Sequence, residues 1–280
     1  MRNRFRYTPP RPQNLVTYAV ALAIALPLIH RWGAAAWAAV IDSLGLYGAI
    51  IGGGFAFYMA WFWAIGGLYL TADARGWWAK HRIQQRKPGV PRRGPSVGTA
   101  VTLVLANQLL GTLPALVLLT LALEARGVDL AGPPPGVGTM LLHLGIFVLV
   151  EELLFYTVHR TLHAPRLFRR FHRIHHQFRE SIGIATHYVH PVEHWVGNLM
   201  PIFAGVLLVG AHPITILLWV AIAVAKAIHT HAGYALPFMT WAVDHDFHHH
   251  NIRGSYGVLG LLDRITGTDA ELRRVAKRGR

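Results

Sequence analysis

Charged positions are scarce and clustered along the 280 residues, and the stretches between them are apolar over long distances. Leu46–Leu70 carries no charge over 25 residues, and Val97–Leu123 carries none over 27. A helix needs about 20 apolar residues to cross a bilayer, so both read as spanning helices. Leu15–Ile29 is shorter and follows the basic, proline-rich start MRNRFRYTPPRPQN. A secretory signal has a similar outline. The segment has no clear small-residue cleavage site and leads directly into further spans, so it reads as a retained first helix. A fourth span is expected from about Thr139 to Val158, after the turn-forming AGPPPG. The uncharged run Val196–Ala225 is 30 residues long, with His212-Pro213 near its middle. At about 1.5 Å per residue it exceeds one crossing. It reads as a helical hairpin of two short halves that dips into the membrane and returns, leaving its flanks on one side. The expected fold is all-α: about four spans plus a re-entrant hairpin, with a cytoplasmic, His-rich helical cap. Residues 1–138 are expected to hold the N-terminal spans and a basic loop, and 139–280 the catalytic domain.

Charge assigns the sides. The chain is 53% hydrophobic and 14% charged, with a net charge of +14. A basic nucleic-acid binder needs an exposed basic face on a soluble fold. Here the basic residues flank apolar spans, as the positive-inside rule describes. Four arginines precede the first span, and seven Lys/Arg against one acid fill Asp73–Ser96. The intervening loops Arg31–Gly45 and Glu124–Gly138 hold one basic residue each. The basic loops are expected on the cytoplasmic side. The tail RRVAKRGR suits contact with anionic headgroups. With no cysteine, disulfides and thiolate metal sites are excluded.

Histidine changes the picture most. Of 18 histidines, 15 fall between His159 and His250. They form spaced groups: His159 and His163 in HRTLH; His172, His175 and His176 in HRIHH; His229 and His231 in HTHAGY; His245, His248 and His249 in HDFHH. Residues three or four apart share a helix face. Adjacent residues diverge by about 100°, so one box offers nitrogen to two neighbouring ions. Imidazole suits iron, zinc, copper and nickel. So many candidate ligands exceed the needs of one ion, which makes two metals the economical reading. The rival is a non-redox membrane zinc-binding protein or metal transporter. A transporter needs ligands along a mid-membrane path, whereas these lie at helix ends.

The motifs ELLFYTVHRTLH, FHRIHHQ, HYVHPVEH, HAGYALP and HDFHHHNIRGSYGVLGLLDRITGT resemble the fatty acid hydroxylase/sterol desaturase superfamily of membrane diiron enzymes, over about Thr139–Thr268. The resemblance implies O2-dependent oxidation of a lipid by two irons. It places the metal on His159, His163, His172, His175, His176, His231, His245, His248 and His249. Some members have a further ligand four residues before the His231 position, where this chain has Ala227. His187, His190 and His229 are candidates to compensate, as ligands or as hydrogen-bond partners of ligands.

Glu152 lies seven residues before His159, on the same helix face. A carboxylate inside a spanning helix is usually functional. It is expected to accept the N–H of a ligating imidazole, with an interhelical or snorkelling role as the alternative. Glu151 faces elsewhere and reads as structural. His190, Glu193 and His194 either serve the site or begin a helix after Pro191. Asp244 and Asp246 orient rings of the last box or are solvated, and Asp263 and Arg264 form an ion pair or a cap. Trp61, Trp63, Trp77 and Trp78 line a lipid channel or sit in the interfacial belt, the commoner case. His30, His81, His143, His212 and His250 fall outside the box spacing.

Activating O2 against a C–H bond requires a cofactor, and two electrons must come from outside the substrate. The chain carries no Gly-rich dinucleotide fingerprint. A separate donor is therefore expected, a ferredoxin or cytochrome b5-type protein with its reductase. It would dock near Arg169, Arg170 and Arg173. Hydroxylation is favoured over desaturation. Fatty acyl chains, sterols, hopanoids and carotenoids all remain open as substrates.

Overall fold

The computed structural model describes residues 4–5, 13–85, 91–237, 239 and 242–278. Most of the basic start, Arg86 and Lys87 of the basic loop, and the last two residues of the tail lie outside these. Among the described residues, six helices are long and apolar enough to cross a membrane. They are α1 (Gln13–Leu44), α2 (Gly48–Arg75), α3 (Val97–Ala125), α4 (Val137–Leu162), α5 (Pro191–Val209) and α6 (Pro213–His231). Three shorter helices follow: α7 (Ala242–Asn251), α8 (Leu261–Thr266) and α9 (Ala270–Arg278). Among the described residues, the paired strands are Arg4–Phe5 and Gln84–Gln85, antiparallel.

Two expectations are corrected. The stretch Arg31–Gly45 is not a loop. Its alanines continue α1 to Leu44, and Gly45, at φ 70°, ends it in the left-handed conformation that glycine adopts freely. The hairpin is not a pair of short halves. Each half has 19 residues, long enough by composition and length to cross. Both halves extend beyond the charge-free run, to Pro191 at one end and His231 at the other. Each begins with a His-Pro step. Proline fits the first helical turn, and Nδ1 of His190 and His212 accepts the N–H of Val192 and Ile214. Because the hairpin returns, the segments that flank it lie at one end of the bundle.

The two ends differ in kind. At one, Tyr47 donates to Glu124, Trp37 to the Leu130 carbonyl and His212 to the Gly132 carbonyl. At the other, Asp73 pairs with Arg82 and Arg92 and accepts from Tyr234. In between, α4 packs against α5. Gly205 permits this contact, since a Cβ there would lie 3.0 Å from the Phe147 Cα. Residues 163–190, which join α4 to α5, fold back into the bundle. Phe178, Ile182, Ile184 and Tyr188 pack with Tyr58, Phe62 and Tyr69 of α2 and with Ile228 of α6. Helices from both sides of residue 138 thus enclose one interior.

Candidate metal centre

Four pieces of chain converge at the end of the bundle that carries Asp73. The last turns of α4 bring His159 and His163, and the inserted segment brings His172, His175 and His176. The end of α6 brings His231, and α7 brings His245, His248 and His249. Their nitrogens gather into two groups: His159, His163, His172, His176 and His248 in one, and His175, His231, His245 and His249 in the other. The adjacent pairs split, as 100° of helical rotation requires. His175 and His249 join one group, His176 and His248 the other. All nine are buried except His163, which is half-buried.

Five of the nine rings are held from behind. Nδ1 of His159 donates to the Tyr256 carbonyl at 2.8 Å and that of His248 to the Gly254 carbonyl at 2.7 Å. Nδ1 of His249 donates to the Phe178 carbonyl and that of His231 to the Ala227 carbonyl. A carbonyl only accepts, so the proton sits on Nδ1 and the Nε2 lone pair is bare. His172 is held by a carboxylate, with Nδ1 2.6 Å from Glu193 Oε1.

The bare nitrogens face one another. In the first group, Nε2 atoms run His163–His172–His176–His248 and back at 3.1, 3.0, 3.2 and 3.1 Å. The fifth, Nε2 of His159, is buried with no hydrogen-bond partner. In the second, His175–His231, His231–His245 and His245–His249 stand 3.3, 2.8 and 3.1 Å apart. Two nitrogens bound at right angles to one cation, each about 2.1 Å away, would stand about 3.0 Å apart. Burial first, then neighbouring imidazoles, holds His163, His172, His175, His176, His245, His248 and His249 well below the ordinary histidine range. They are neutral at pH 7, the state a metal needs. The donor set, its spacing and its orphaned lone pair fit two imidazole-bound cations.

A loop between α7 and α8 supports the first group. Asp263 accepts from the backbone N–H of Tyr256 and Gly257, and Glu152 from those of Val258, Leu259 and Leu262. Gly257 must be glycine, because a Cβ there would stand 2.9 Å from both Asp263 Oδ2 and Glu152 Oε1. Gly254 has φ 74°, and a Cβ there would collide with the Thr268 carbonyl. The carbonyls of Gly254 and Tyr256 are those that orient His248 and His159.

A cavity of about 700 Å³ opens beneath the imidazoles. His159, His172, His175, His231 and His245 form one part of its wall, with Glu151 and Lys226 nearby. Apolar residues such as Ile50, Phe55, Leu116, Phe203, Ile216 and Leu217 form most of the rest.

Residues 144–268 match the family model for fatty acid hydroxylase, a range that contains all nine histidines. The chain is 36% identical over 211 residues to human fatty acid hydroxylase domain-containing protein 2, covering 74% of this chain and 63% of that one. It is 30% identical over 216 residues to a methylsterol monooxygenase of Aspergillus fumigatus, covering 71% of each. The chain belongs to the fatty acid hydroxylase/sterol desaturase superfamily. A very-long-chain aldehyde decarbonylase of rice is a further relative, 35% identical over 155 residues and covering 51% of each. The chain spans 63% of the length of the first curated relatives it matches. No solved structure matches.

Within this family member, several expectations change. Glu152 does not take an imidazole N–H. Its oxygens serve three backbone amides, and it reaches His159 only through the loop that carries Tyr256. Glu193 makes the carboxylate–imidazole contact instead. None of the three compensating candidates joins a nitrogen group. His229 engages both nitrogens, with the Tyr69 hydroxyl and the Met239 carbonyl. His190 caps α5, and His187 bonds the Tyr58 hydroxyl. At the position of the missing ligand, the Ala227 carbonyl holds His231. Asp263 does not pair with Arg264, which bonds Asp269. Asp246 is buried rather than solvated, and burial pushes its carboxyl up to about 7. Trp61, Trp63, Trp77 and Trp78 are absent from the cavity wall, whereas Glu151 is part of it. Lys226 was not anticipated. Its signal was a lone lysine in an apolar helix five residues before His231.

Proposed function

We propose that the chain oxidises a C–H bond of a membrane lipid, using O2 at two irons held by the nine imidazoles. One group of five would hold one ion and the group of four the other. The observation that carries this reading is the opening of an apolar cavity directly onto both nitrogen groups. Iron, when bound, supplies the O2 activation that side chains lack.

The residues of the chain supply the rest. Nδ1 hydrogen bonds from His159, His172, His231, His248 and His249 fix tautomer and ring orientation before any ion arrives. The apolar wall excludes water and receives the lipid from the bilayer. Hydroxylation is the outcome taken here, in line with the hydroxylase and monooxygenase names of the relatives. Metal transport fits less well, because the nitrogens gather at one end of the cavity instead of lining a path.

This end of the bundle is taken as cytoplasmic, from the basic loop and the arginine-rich segment that lie there. Each hydroxylation consumes one O2, two external electrons and two protons and releases one water. The donor is a separate acidic ferredoxin or cytochrome b5-type protein. It meets the surface at His163, the least buried of the nine, which shares a recess with Arg169 and Arg253. Arg166, Arg170 and Arg173 are exposed nearby, and such a field steers acidic partners. The test is mass spectrometry of bilayer lipid after incubating the iron-loaded chain with donor, reductase and 18O2. A labelled hydroxyl is expected. Equal turnover with zinc in place of iron would overturn the redox reading.

A further inference from the structure

The cavity reaches from the imidazoles to the opposite end of the bundle. Ile216 and His231 of α6 both line it. They stand 15 residues apart, which at about 1.5 Å per residue is about 22 Å of helix. At the far end the wall is made by Trp37, Leu119, Leu123, Leu130 and Ile216, each of them buried.

Trp37 is pinned in this wall. Its indole N–H donates to the Leu130 carbonyl at 3.0 Å, and its ring meets that of His212 edge-on, 6.0 Å between centroids. His212 is fixed in turn. Its Nδ1 accepts from the Ile214 N–H, and its Nε2 donates to the Gly132 carbonyl at 2.9 Å. Thr120, also in the wall, donates its hydroxyl to the Leu116 carbonyl. The polar groups at this end are thus matched within the protein. An apolar group fits against them, whereas a polar one would be buried without a partner. Charge is distributed the same way. The lining residues drawn from 37–130 and 197–224 include no Asp, Glu, Lys or Arg. The charged side chains of the wall, Glu193, Asp263 and Arg273 among them, come from residues 151–193, 226 and 244–273.

We propose that Trp37 is the end-stop of the cavity, the surface against which the apolar end of the lipid rests. The proposal rests on the lipid-oxidation reading for its setting, and its test needs no turnover. The indole limits the length of lipid that fits between the far wall and the imidazoles. The carbon that reaches the imidazoles is then fixed by its distance from the buried end of the lipid. A lipid that is too long cannot pass Trp37. Its surplus methylenes are pushed back toward the charged part of the wall. Each then forfeits about the transfer free energy of one methylene, a loss of about fourfold in affinity.

Photoaffinity labelling and a length series test this on the purified full-length chain in nanodiscs. Two probes carry a diazirine at the apolar end, octadecanoate at its terminal carbon and cholesterol in its side chain. At least one should label Trp37, Leu123 or Leu130, and the same lipid with its diazirine beside the polar group should not. The lipid that labels is then varied in length, as straight-chain acids or as sterols of graded side chain. Binding, counted against partition into empty nanodiscs, should be level up to a critical length and fall about fourfold per methylene beyond it. Trp37→Ala should move that break to longer lipids. Trp37→Phe, which keeps a ring against His212, should move it less. Labelling of the far wall by neither probe overturns the proposal, and so does a break that stays in place in both variants. Weaker binding at every length around an unmoved break would assign Trp37 to packing alone. If Trp37→Ala does not fold, Trp37→Phe and the labelling of the unaltered chain decide. A break that moves, with no lipid oxidation by the iron-loaded chain, would leave the stop standing and remove the catalytic reading. Oxidation with an unmoved break would do the reverse.

Discussion

Glu193 Oε1 lies 2.6 Å from Nδ1 of His172, with both side chains almost wholly removed from solvent. This contact joins the start of α5 to the first nitrogen group. Partners of this type typically govern 10–100-fold of metal affinity. Glu193→Ala should therefore weaken metal binding in the first group about that much and leave the second group intact. Competitive titration with a chelator measures this. An unchanged pair of affinities would assign Glu193 to folding alone.

His248 and His190 give opposite expectations although both belong to histidine motifs. His248→Ala removes a nitrogen from the closed run of four and should abolish turnover. His190→Ala removes only a helix cap, a loss of about 1 kcal/mol, and should leave turnover near normal. Product formation at matched expression separates the two.

Glu152 carries three backbone amides on one carboxylate. Leaving a buried donor unsatisfied costs about 1–3 kcal/mol. Glu152→Ala should lower the unfolding temperature markedly and, through the Tyr256 carbonyl, disturb His159. Gly257→Ala should do likewise by pushing against both carboxylates. Thermal unfolding in detergent, with metal content on the same samples, gives the result. A normal unfolding temperature in both variants would contradict the support assigned to this loop.

Acid should destabilise the metal-free chain. The folded forms of His172, His175, His176, His245, His248 and His249 hold protons far less readily than the ordinary value of 6.5, because of burial and then of each other. Below pH 6.5 the unfolded chain binds more protons than the folded one, so stability falls as pH falls. It should be nearly flat above about pH 7.5 and decline steadily below 6.5. Unfolding midpoints across pH 5–8 check the sign, and a rise in stability on acidification would contradict it.

The sequence and the structure agree where periodicity carries the information. Long charge-free runs located the helices. The 3- and 4-residue spacings grouped eight of the imidazoles that converge, because helix geometry makes such spacings meaningful over short distances, and the family resemblance added His231. What was misread depends on contacts between distant segments. Spacing put Glu152 on the face of His159, but nothing local shows that residues 256–262 pass between them. His190 read as either a site residue or a helix start, and its role as a cap depends on the proline that follows it. Arg31–Gly45 looked like a loop because one arginine and one aspartate interrupt the apolar pattern, yet alanine-rich sequence sustains a helix across both. Lys226 went unread because it borders the charge-free run, and its place in the cavity wall is set by the packing of α4 against α5 and α6.

The most direct measurement is iron per chain, by elemental analysis after anaerobic loading, in the unaltered chain and in His176→Ala and His249→Ala. Each variant removes a nitrogen from a different group. Two irons per chain are expected in the unaltered protein, with selective loss from one group in each variant and no oxidised lipid from either. A single iron per fully active chain, or full turnover by either variant, would contradict the two-metal centre.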